Sequence, residues 1–357
     1  MAKNFKTNKG MPYSFVEKNS NRQDLKKILP LRMPLGLCIE PINFCNYRCV
    51  YCPVSMPQFK EIVGGVGVMD MNLYRKIISD VKKMGKLKNL NLYGDGEPLL
   101  NGNIAEMVKL AKEADVAENI TITTNASLLS EKISKELISS GLTYLRVSIY
   151  SIYQDKFEKN TRVKNISVDD IHQNLKNFRK LREKEKQKTP HLYIKMIDTY
   201  SDENEKFLKI YSGIADQVNI ETPMNWNGYN SLDFISKIDP ERKTDETKIQ
   251  GFYKDRGKPG YKEICTTAFH SLNIKVNGDV TICIVDWNKG TKVGNIGNES
   301  LPDIWFGEKL RSFRRIHIKK ERHRNPSCKN CKYLYCNPDN IDNLTKEKYE
   351  EILNFKE

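Results

Sequence analysis

Three cysteines stand within eight residues, Cys45-Asn46-Tyr47-Arg48-Cys49-Val50-Tyr51-Cys52, a C-x3-C-x2-C spacing. Thiolate is a soft ligand that suits iron–sulfur clusters or zinc. Structural zinc ordinarily takes four ligands in paired C-x2-C units, and here no His occurs before His172. Three thiolates on a four-iron cluster leave one iron without a protein ligand, and an open iron can bind a substrate or cofactor. A second group lies far downstream: Cys265, Cys283, Cys328, Cys331 and Cys336. Cys265 and Cys283 flank an Asn277-Gly278 turn, and Cys328 and Cys331 form a C-x2-C pair. Four thiolates hold one [4Fe–4S] cluster or one ribbon-type zinc ion. With Cys38 the total is nine, and an odd count in a long chain argues against a disulfide framework. Cys38 reads as a small buried residue within the first strand.

These residues need elements to place them. Period-two runs predict strands over 36–42, 89–93, 119–124, 142–149, 191–197 and 217–221. Between them, helical periodicity predicts helices over 72–84, 104–113, 130–139, 168–185 and 203–210. Alternating strand and helix predicts a parallel sheet with right-handed crossovers. Six units fall short of a closed eight-stranded barrel, so the fold class is α/β with an open, partial (β/α)6 TIM barrel. The first cysteine group then sits beyond the carboxyl end of the first strand, at the barrel mouth where such folds build active sites. Residues 270–276, Asn277-Gly278 and 279–284 read as a β-hairpin. The organisation expected is a leader over 1–34 (with a short helix near 22–28), the barrel over 35–222, a Pro-, Gly- and Asn-rich linker over 223–262, a cysteine-bearing small domain over 263–340 and a C-terminal helix over 341–357.

Composition sets the surroundings. Lys and Arg number 59 against 45 Asp and Glu, a net charge of +14, with 39% hydrophobic residues. That balance excludes wholesale disorder, collagen and coiled coil. No apolar run is long enough to cross a membrane, and the leader has no apolar core of the secretory type. A cytoplasmic protein with reduced thiols is expected. The positive charge raises a competing class, a non-enzymatic iron–sulfur or zinc protein that binds nucleic acid. No RNA-binding motif or aromatic-interleaved basic stripe supports it, and it leaves Gly94–Pro98 unexplained, so no nucleic-acid partner is expected.

The C-x3-C-x2-C motif with an aromatic before its last cysteine resembles the radical S-adenosylmethionine superfamily, whose fold is a partial (β/α)6 barrel. Tyr93-Gly94-Asp95-Gly96-Glu97-Pro98 resembles that family's Gly-Gly-Glu-Pro station, with Asp95 where a second consecutive Gly is common. The resemblance implies that Cys45, Cys49 and Cys52 hold a [4Fe–4S] cluster bound together with S-adenosylmethionine. It implies that Gly94, Asp95, Gly96 and Glu97 receive the methionine amino group, and that Thr124 and Asn125 meet the ribose. Ser148 would lie near the methionine carboxylate and Tyr51 near the adenine. The layout C-x12-G-x4-C followed by C-x2-C resembles the SPASM/twitch extension of the same family. Full SPASM domains carry seven cysteines and two clusters; five here imply one auxiliary [4Fe–4S] cluster on Cys265, Cys283, Cys328 and Cys331. Cys336 is then a spare thiol or an alternative ligand.

The chemistry implied is reductive cleavage of S-adenosylmethionine to a 5′-deoxyadenosyl radical, which takes hydrogen from an unactivated C–H bond. Three outcomes remain open. An alcohol carbon of a carbohydrate or cyclitol is oxidised with the auxiliary cluster as electron acceptor. A sugar is epimerised with a cysteine thiol, Cys336 or Cys38, returning hydrogen. A peptide is modified, an outcome that ranks last because residues 1–33 are too short for a leader-recognition domain. Candidate residues outside the cofactor stations are Cys336, Arg162, which could hold a phosphate or carboxylate, and Trp226, which could stack on a sugar face. No general base stands out. An electron donor such as flavodoxin or ferredoxin is the partner implied besides the small-molecule substrate.

Overall fold

A computed structural model describes residues 23–221, 262–331, 333–337 and 339–356, without the side chains of Tyr335 and Cys336. Six parallel strands form the barrel sheet: β1 (Gly36–Ile39), β2 (Leu87–Leu92), β3 (Ala117–Thr124), β4 (Tyr144–Ile149), β5 (His191–Ile197) and β6 (Gln217–Glu221). Three more follow from the second cysteine segment, β7 (Ser271–Ile274), β8 (Asp279–Thr281) and β9 (Lys292–Asn295). The sheet order is β6-β5-β4-β3-β2-β1-β7-β8-β9. β7 runs parallel to β1, pairing Gly36 with Ser271 and Ile39 with Ile274, while β8 and β9 are antiparallel. One sheet therefore carries both cysteine groups.

Alternation along each strand separates two faces. Leu37, Ile39, Leu90, Leu92, Ile122, Leu145, Val147, Leu192 and Ile194 turn to the helices and are fully buried. The alternate positions are polar and face the barrel interior: Cys38, Asn91, Thr121, Thr123, Arg146, Ser148, Tyr193, Lys195, Asn219 and Glu221. Helix Met71–Met84 starts where the Asp70 side chain accepts from the N–H groups of Asn72 and Leu73, satisfying donors a helix start leaves open. Ser130 caps helix Glu131–Ser139 in the same way. The hairpin turn is as the sequence predicts, with Gly278 at φ +83°.

Several features depart from the sequence-based expectation, among them strand β9 and a C-terminal helix shorter than 341–357. β1 stops at Ile39 rather than residue 42, because Glu40 turns to an ion pair with Lys275 and Ile42 instead bridges Val68. Helix Gln154–Thr161 follows β4, in a stretch to which the periodicity assigns no element before the helix at 168. Helix Glu308–Ile318 was likewise not anticipated. The C-terminal helix spans Lys346–Asn354. Among the described residues no helix is long and apolar enough to cross a membrane.

The second cysteine segment is docked firmly. Lys76 donates to the carbonyls of Ile296 and Glu299, both at 2.6 Å. Asp80, on the same helix, accepts from Leu301 N–H at 3.1 Å. The Trp305 indole donates to Leu31 O at 3.1 Å, and Arg314 lies over its ring at 4.3 Å.

Candidate active site and auxiliary cluster site

The loop beyond β1 holds the first three thiols. Its backbone is pinned to the end of helix Gln154–Thr161: Arg48 N–H donates to Thr161 O and Val50 N–H to Asn160 O, each at 2.9 Å. The Arg48 guanidinium donates to the carbonyls of Cys45 and Tyr47. Cys45 Sγ accepts from Tyr47 N–H at 3.3 Å. Burial pushes the Cys45 thiol up to about 11 and Cys52 up to about 12, and the neighbouring thiols add to the rise at Cys49. A buried thiol stays protonated until a metal supplies the positive charge that makes it a thiolate. The donor set therefore fits a cationic cluster. Tyr51 stacks on Tyr150 at 5.9 Å and 21°, directly beside these thiols.

The glycine loop beyond β2 folds onto the cysteine loop. A Cβ at Gly96 would stand 2.5 Å from Ile42 O and 2.7 Å from Phe44 O, so only glycine allows the approach. Glu97 is 3% exposed. Its carboxylate accepts from the Thr124 hydroxyl at 2.6 Å, Asn125 N–H at 2.8 Å and Leu99 N–H at 3.1 Å. All three donors are neutral, and burial pushes the group up to about 7. Asn125 Nδ2 donates to Asn46 Oδ1 at 2.9 Å, and Asn46 donates to the Ser127 hydroxyl at 2.9 Å. The loops after β1, β2 and β3 thus form one network, and the expected cofactor residues Tyr51, Gly94, Asp95, Gly96, Glu97, Thr124 and Asn125 converge on the mouth. A cationic ligand group arriving there would meet a buried carboxylate so far matched only by neutral donors.

Ser148 lies inside the barrel in register with Lys195, and Lys195 with Asn219. Lys195 Nζ stands 2.6 Å from Glu221 Oε2, and Arg146 Nη2 is 3.5 Å from Glu221 Oε1. The Arg146 guanidinium also lies near the Tyr93 and Tyr193 rings, at 6.0 and 5.7 Å. Burial pulls Lys195 down while Glu221 pulls it back. The sequence reading missed Lys195 and Glu221. Their signal was present as polar residues at every second position of strands that are otherwise apolar.

Arg162 is exposed, in the left-handed C-cap position of helix Gln154–Thr161 at φ +58°. Trp226 lies outside the described residues. Cys336 ends the 3-10 turn Tyr333–Cys336. Cys38 is buried, and its thiol donates to Tyr93 O at 3.0 Å.

The second site is a pocket with about 550 Å³ of empty space, partly open to solvent, lined by Cys265, Cys283, Cys328 and Cys331. The strand hairpin brings Cys283 to it, and a close approach of Gly290 to Ser327 brings the Cys328 turn; a Cβ at Gly290 would run into Ser327 Oγ. Asp286 orders the intervening loop by accepting from Gly290 N–H, Thr291 N–H and the Thr291 hydroxyl. Arg322 donates to the carbonyls of Cys328 and Cys331. His317, held neutral by burial and Arg322 and pushed down to about 4, accepts from Cys265 N–H at 3.4 Å. Burial and the facing thiols push Cys283 well up. Among the described residues no three His, Cys, Asp or Glu side chains gather as the ligands of a single ion; the four thiols instead surround a space.

Two family models divide the chain along these two sites. Residues 39–209 match the radical SAM superfamily, and residues 265–332 match the SPASM iron–sulfur cluster-binding domain. The chain thus carries a radical SAM segment followed by a SPASM segment. Its cofactors are accordingly S-adenosylmethionine, a [4Fe–4S] cluster and an auxiliary iron–sulfur cluster. Among individual relatives, the S-adenosyl-L-methionine-dependent 2-deoxy-scyllo-inosamine dehydrogenase of Niallia circulans is 25% identical over 315 residues, 88% of this chain and 96% of the relative. The tungsten-containing aldehyde ferredoxin oxidoreductase cofactor-modifying protein of Pyrococcus furiosus is 26% identical over 324 residues, 83% of this chain and 86% of the relative. In fold the chain is similar to the crystal structure of BtrN in complex with AdoMet and 2-DOIA, with TM-score 0.52 and 20% identity over 84% of this chain and 93% of that one. It is also similar to Streptococcus suis SuiB bound to precursor peptide SuiA, with TM-score 0.61 and 17% identity over 81% and 69%.

Proposed function

We propose that this radical SAM enzyme oxidises an alcohol carbon of a small hydroxylated molecule, a carbohydrate or cyclitol. The observation that carries this reading is the four-thiol pocket on the strand system continuous with β1. An iron–sulfur cluster held by these four thiols would supply an acceptor for the second electron. The Niallia circulans relative, matched over nearly its whole length, bears the name of a cyclitol dehydrogenase, which supports the same class.

Cys45, Cys49 and Cys52 would hold the [4Fe–4S] cluster. Gly94, Asp95, Gly96, Glu97, Thr124, Asn125, Ser148 and Tyr51 would surround S-adenosylmethionine. Cys265, Cys283, Cys328 and Cys331 would hold the auxiliary cluster. Bound, these groups supply hydrogen abstraction from a C–H bond and an acceptor for the second electron. The chain's share is positioning and exclusion of water. The stacked Tyr51–Tyr150 pair walls the cysteine loop, and the interior row of Arg146, Ser148, Lys195, Asn219 and Glu221 offers donors and acceptors to a polyhydroxylated substrate. The Lys195–Glu221 pair, 2.6 Å apart on the interior face, would lie where the hydroxyl proton is released as a ketone forms.

The test is anaerobic reconstitution followed by turnover with a panel of aminocyclitols, inositols and sugars. Formation of a ketone, with one 5′-deoxyadenosine per product, supports the reading. An epimer carrying solvent hydrogen, or modification of a peptide alone, overturns it.

A further inference from the structure

The glycine loop after β2 is held by charged side chains at the ends of two other strands. Glu40 leaves the end of β1, Asp95 lies in the loop itself, and Lys275 leaves the end of β7. Lys275 Nζ stands 2.6 Å from Asp95 Oδ2 and 3.2 Å from Glu40 Oε1. The Lys275 and Glu40 side chains are 3% and 1% exposed. Glu40 also accepts from the N–H groups of Asp95 at 3.1 Å and Val276 at 3.3 Å. A Cβ at Gly94 would stand 2.6 Å from Glu40 Cγ, so carboxylate and loop are in packing contact.

We propose that Lys275 is a positioning residue for the S-adenosylmethionine-binding loop 94–97, through which the SPASM segment sets the geometry of the cofactor site in the barrel. The inference rests on the reading of that loop given above.

Two carboxylates and one ammonium share a buried spot. Removing the ammonium leaves two carboxyl groups in one spot away from water with nothing to hold both ionised, a far larger penalty than the loss of a surface pair. The loop has little freedom to absorb it. Gly96 is already against Ile42 O and Phe44 O, and Glu97 N–H donates to Phe44 O at 3.0 Å. Repulsion between Glu40 and Asp95 is relieved by lifting Asp95 from β1. Glu97, two residues on, moves with it and loosens its bonds to Thr124 and Asn125. A pair that served only the fold would affect melting and leave cofactor affinity alone, which separates the two roles by experiment.

The test uses the full chain with both clusters reconstituted. S-adenosylmethionine is titrated while the electron paramagnetic resonance spectrum of the reduced protein is followed, and KM for S-adenosylmethionine is compared with kcat. Lys275→Met is expected to keep its iron and to bind S-adenosylmethionine about tenfold or more weakly, with the loss in KM. Lys275→Arg is expected to restore most of the affinity. Glu40→Gln/Lys275→Met is expected to restore part of it, since one of the two repelling charges is gone. Lys275→Met binding at wild-type affinity, even with a lowered melting temperature, would overturn the proposal. Should Lys275→Met fail to fold, Asp95→Asn, which keeps the Lys275–Glu40 contact, carries the test: weaker binding supports the proposal and unchanged binding overturns it. A wild-type spectrum that ignores S-adenosylmethionine would instead overturn the reading of the loop, and the role of Lys275 with it.

Discussion

The two thiol sites are built in opposite ways. Cys45, Cys49 and Cys52 share one loop of eight residues, in which Arg48 and Val50 are tied by their backbone N–H groups to one helix end. Cys265, Cys283, Cys328 and Cys331 come from three separate segments that meet only when the hairpin, the Asp286 loop and the Arg322 contacts are all in place. A local site survives disturbance elsewhere, whereas a distributed site reports on the whole segment around it. The contrast also separates their proposed work. The open, local site faces the polar barrel interior, and the distributed site surrounds its pocket with four thiols.

The largest effect expected is on the local site. Cys45→Ala/Cys49→Ala/Cys52→Ala should reduce S-adenosylmethionine cleavage to background and lower iron from about eight to about four atoms per chain. Retention of all the iron would break the comparison at its root. Cys283→Ala should also cost about four irons, yet leave 5′-deoxyadenosine formation intact while ketone formation fails. Because binding free energy at a distributed site is folding free energy, this variant should melt well below the wild type, more so than the triple variant. Equal melting of the two would show that the sites are equally local.

Two glycines sharpen the point. Gly96→Ala drives a methyl into backbone oxygens that cannot move aside, so the loss should lie at the upper end of about 1–3 kcal/mol for overpacking. At Gly290→Ala the obstacle is chiefly the Ser327 hydroxyl, and the loss should lie at the lower end. Urea unfolding of the metal-free chain measures both. Gly96→Ala should weaken S-adenosylmethionine binding, and Gly290→Ala should weaken only retention of the auxiliary iron.

The remaining effect is one of pH. Glu97 is raised from 4.5 to about 7 by burial, so between those values the folded chain holds a proton that the unfolded chain has lost. The stabilisation is complete below about 4.5 and declines as pH rises toward and through about 7, by a few kcal/mol at most, on the order of 1.4 kcal/mol for each pH unit between the two values. The melting temperature of the metal-free chain should therefore fall across this window, and Glu97→Gln should flatten the fall. An unchanged slope in Glu97→Gln would assign the pH dependence to other groups, Glu40 among them.

Legibility followed the same division between local and distributed. β5 and β6 have the bounds their alternation predicts, and helix Ile104–Glu113 matches its periodicity residue for residue. The cysteine loop, the glycine loop and the Asn277-Gly278 turn are short-range patterns, and each stands where spacing put it. The parallel pairing of β7 with β1 has no local signal, because it depends on which edge of the barrel remains free. Lys275 and Glu40 could not be matched as partners without that register. Lys195 and Glu221 sit on adjacent strands, and each alone reads as an ordinary polar residue in a strand. Helix Gln154–Thr161 is mostly polar, with Phe157 and Thr161 as its buried residues, which left its period faint.

The β1–β7 pairing also sets an order of events during synthesis. Glu40 and Lys275 are 235 residues apart, and a ribosome adding 5–20 residues per second needs roughly ten seconds or more to cover that interval. Until then the outer edge of β1 has no strand beside it, although β2 arrives early on the other side. A bare edge of this kind is a template for pairing with other chains. The nascent barrel thus spends its most exposed interval waiting for the strand that also delivers the lysine beneath its glycine loop.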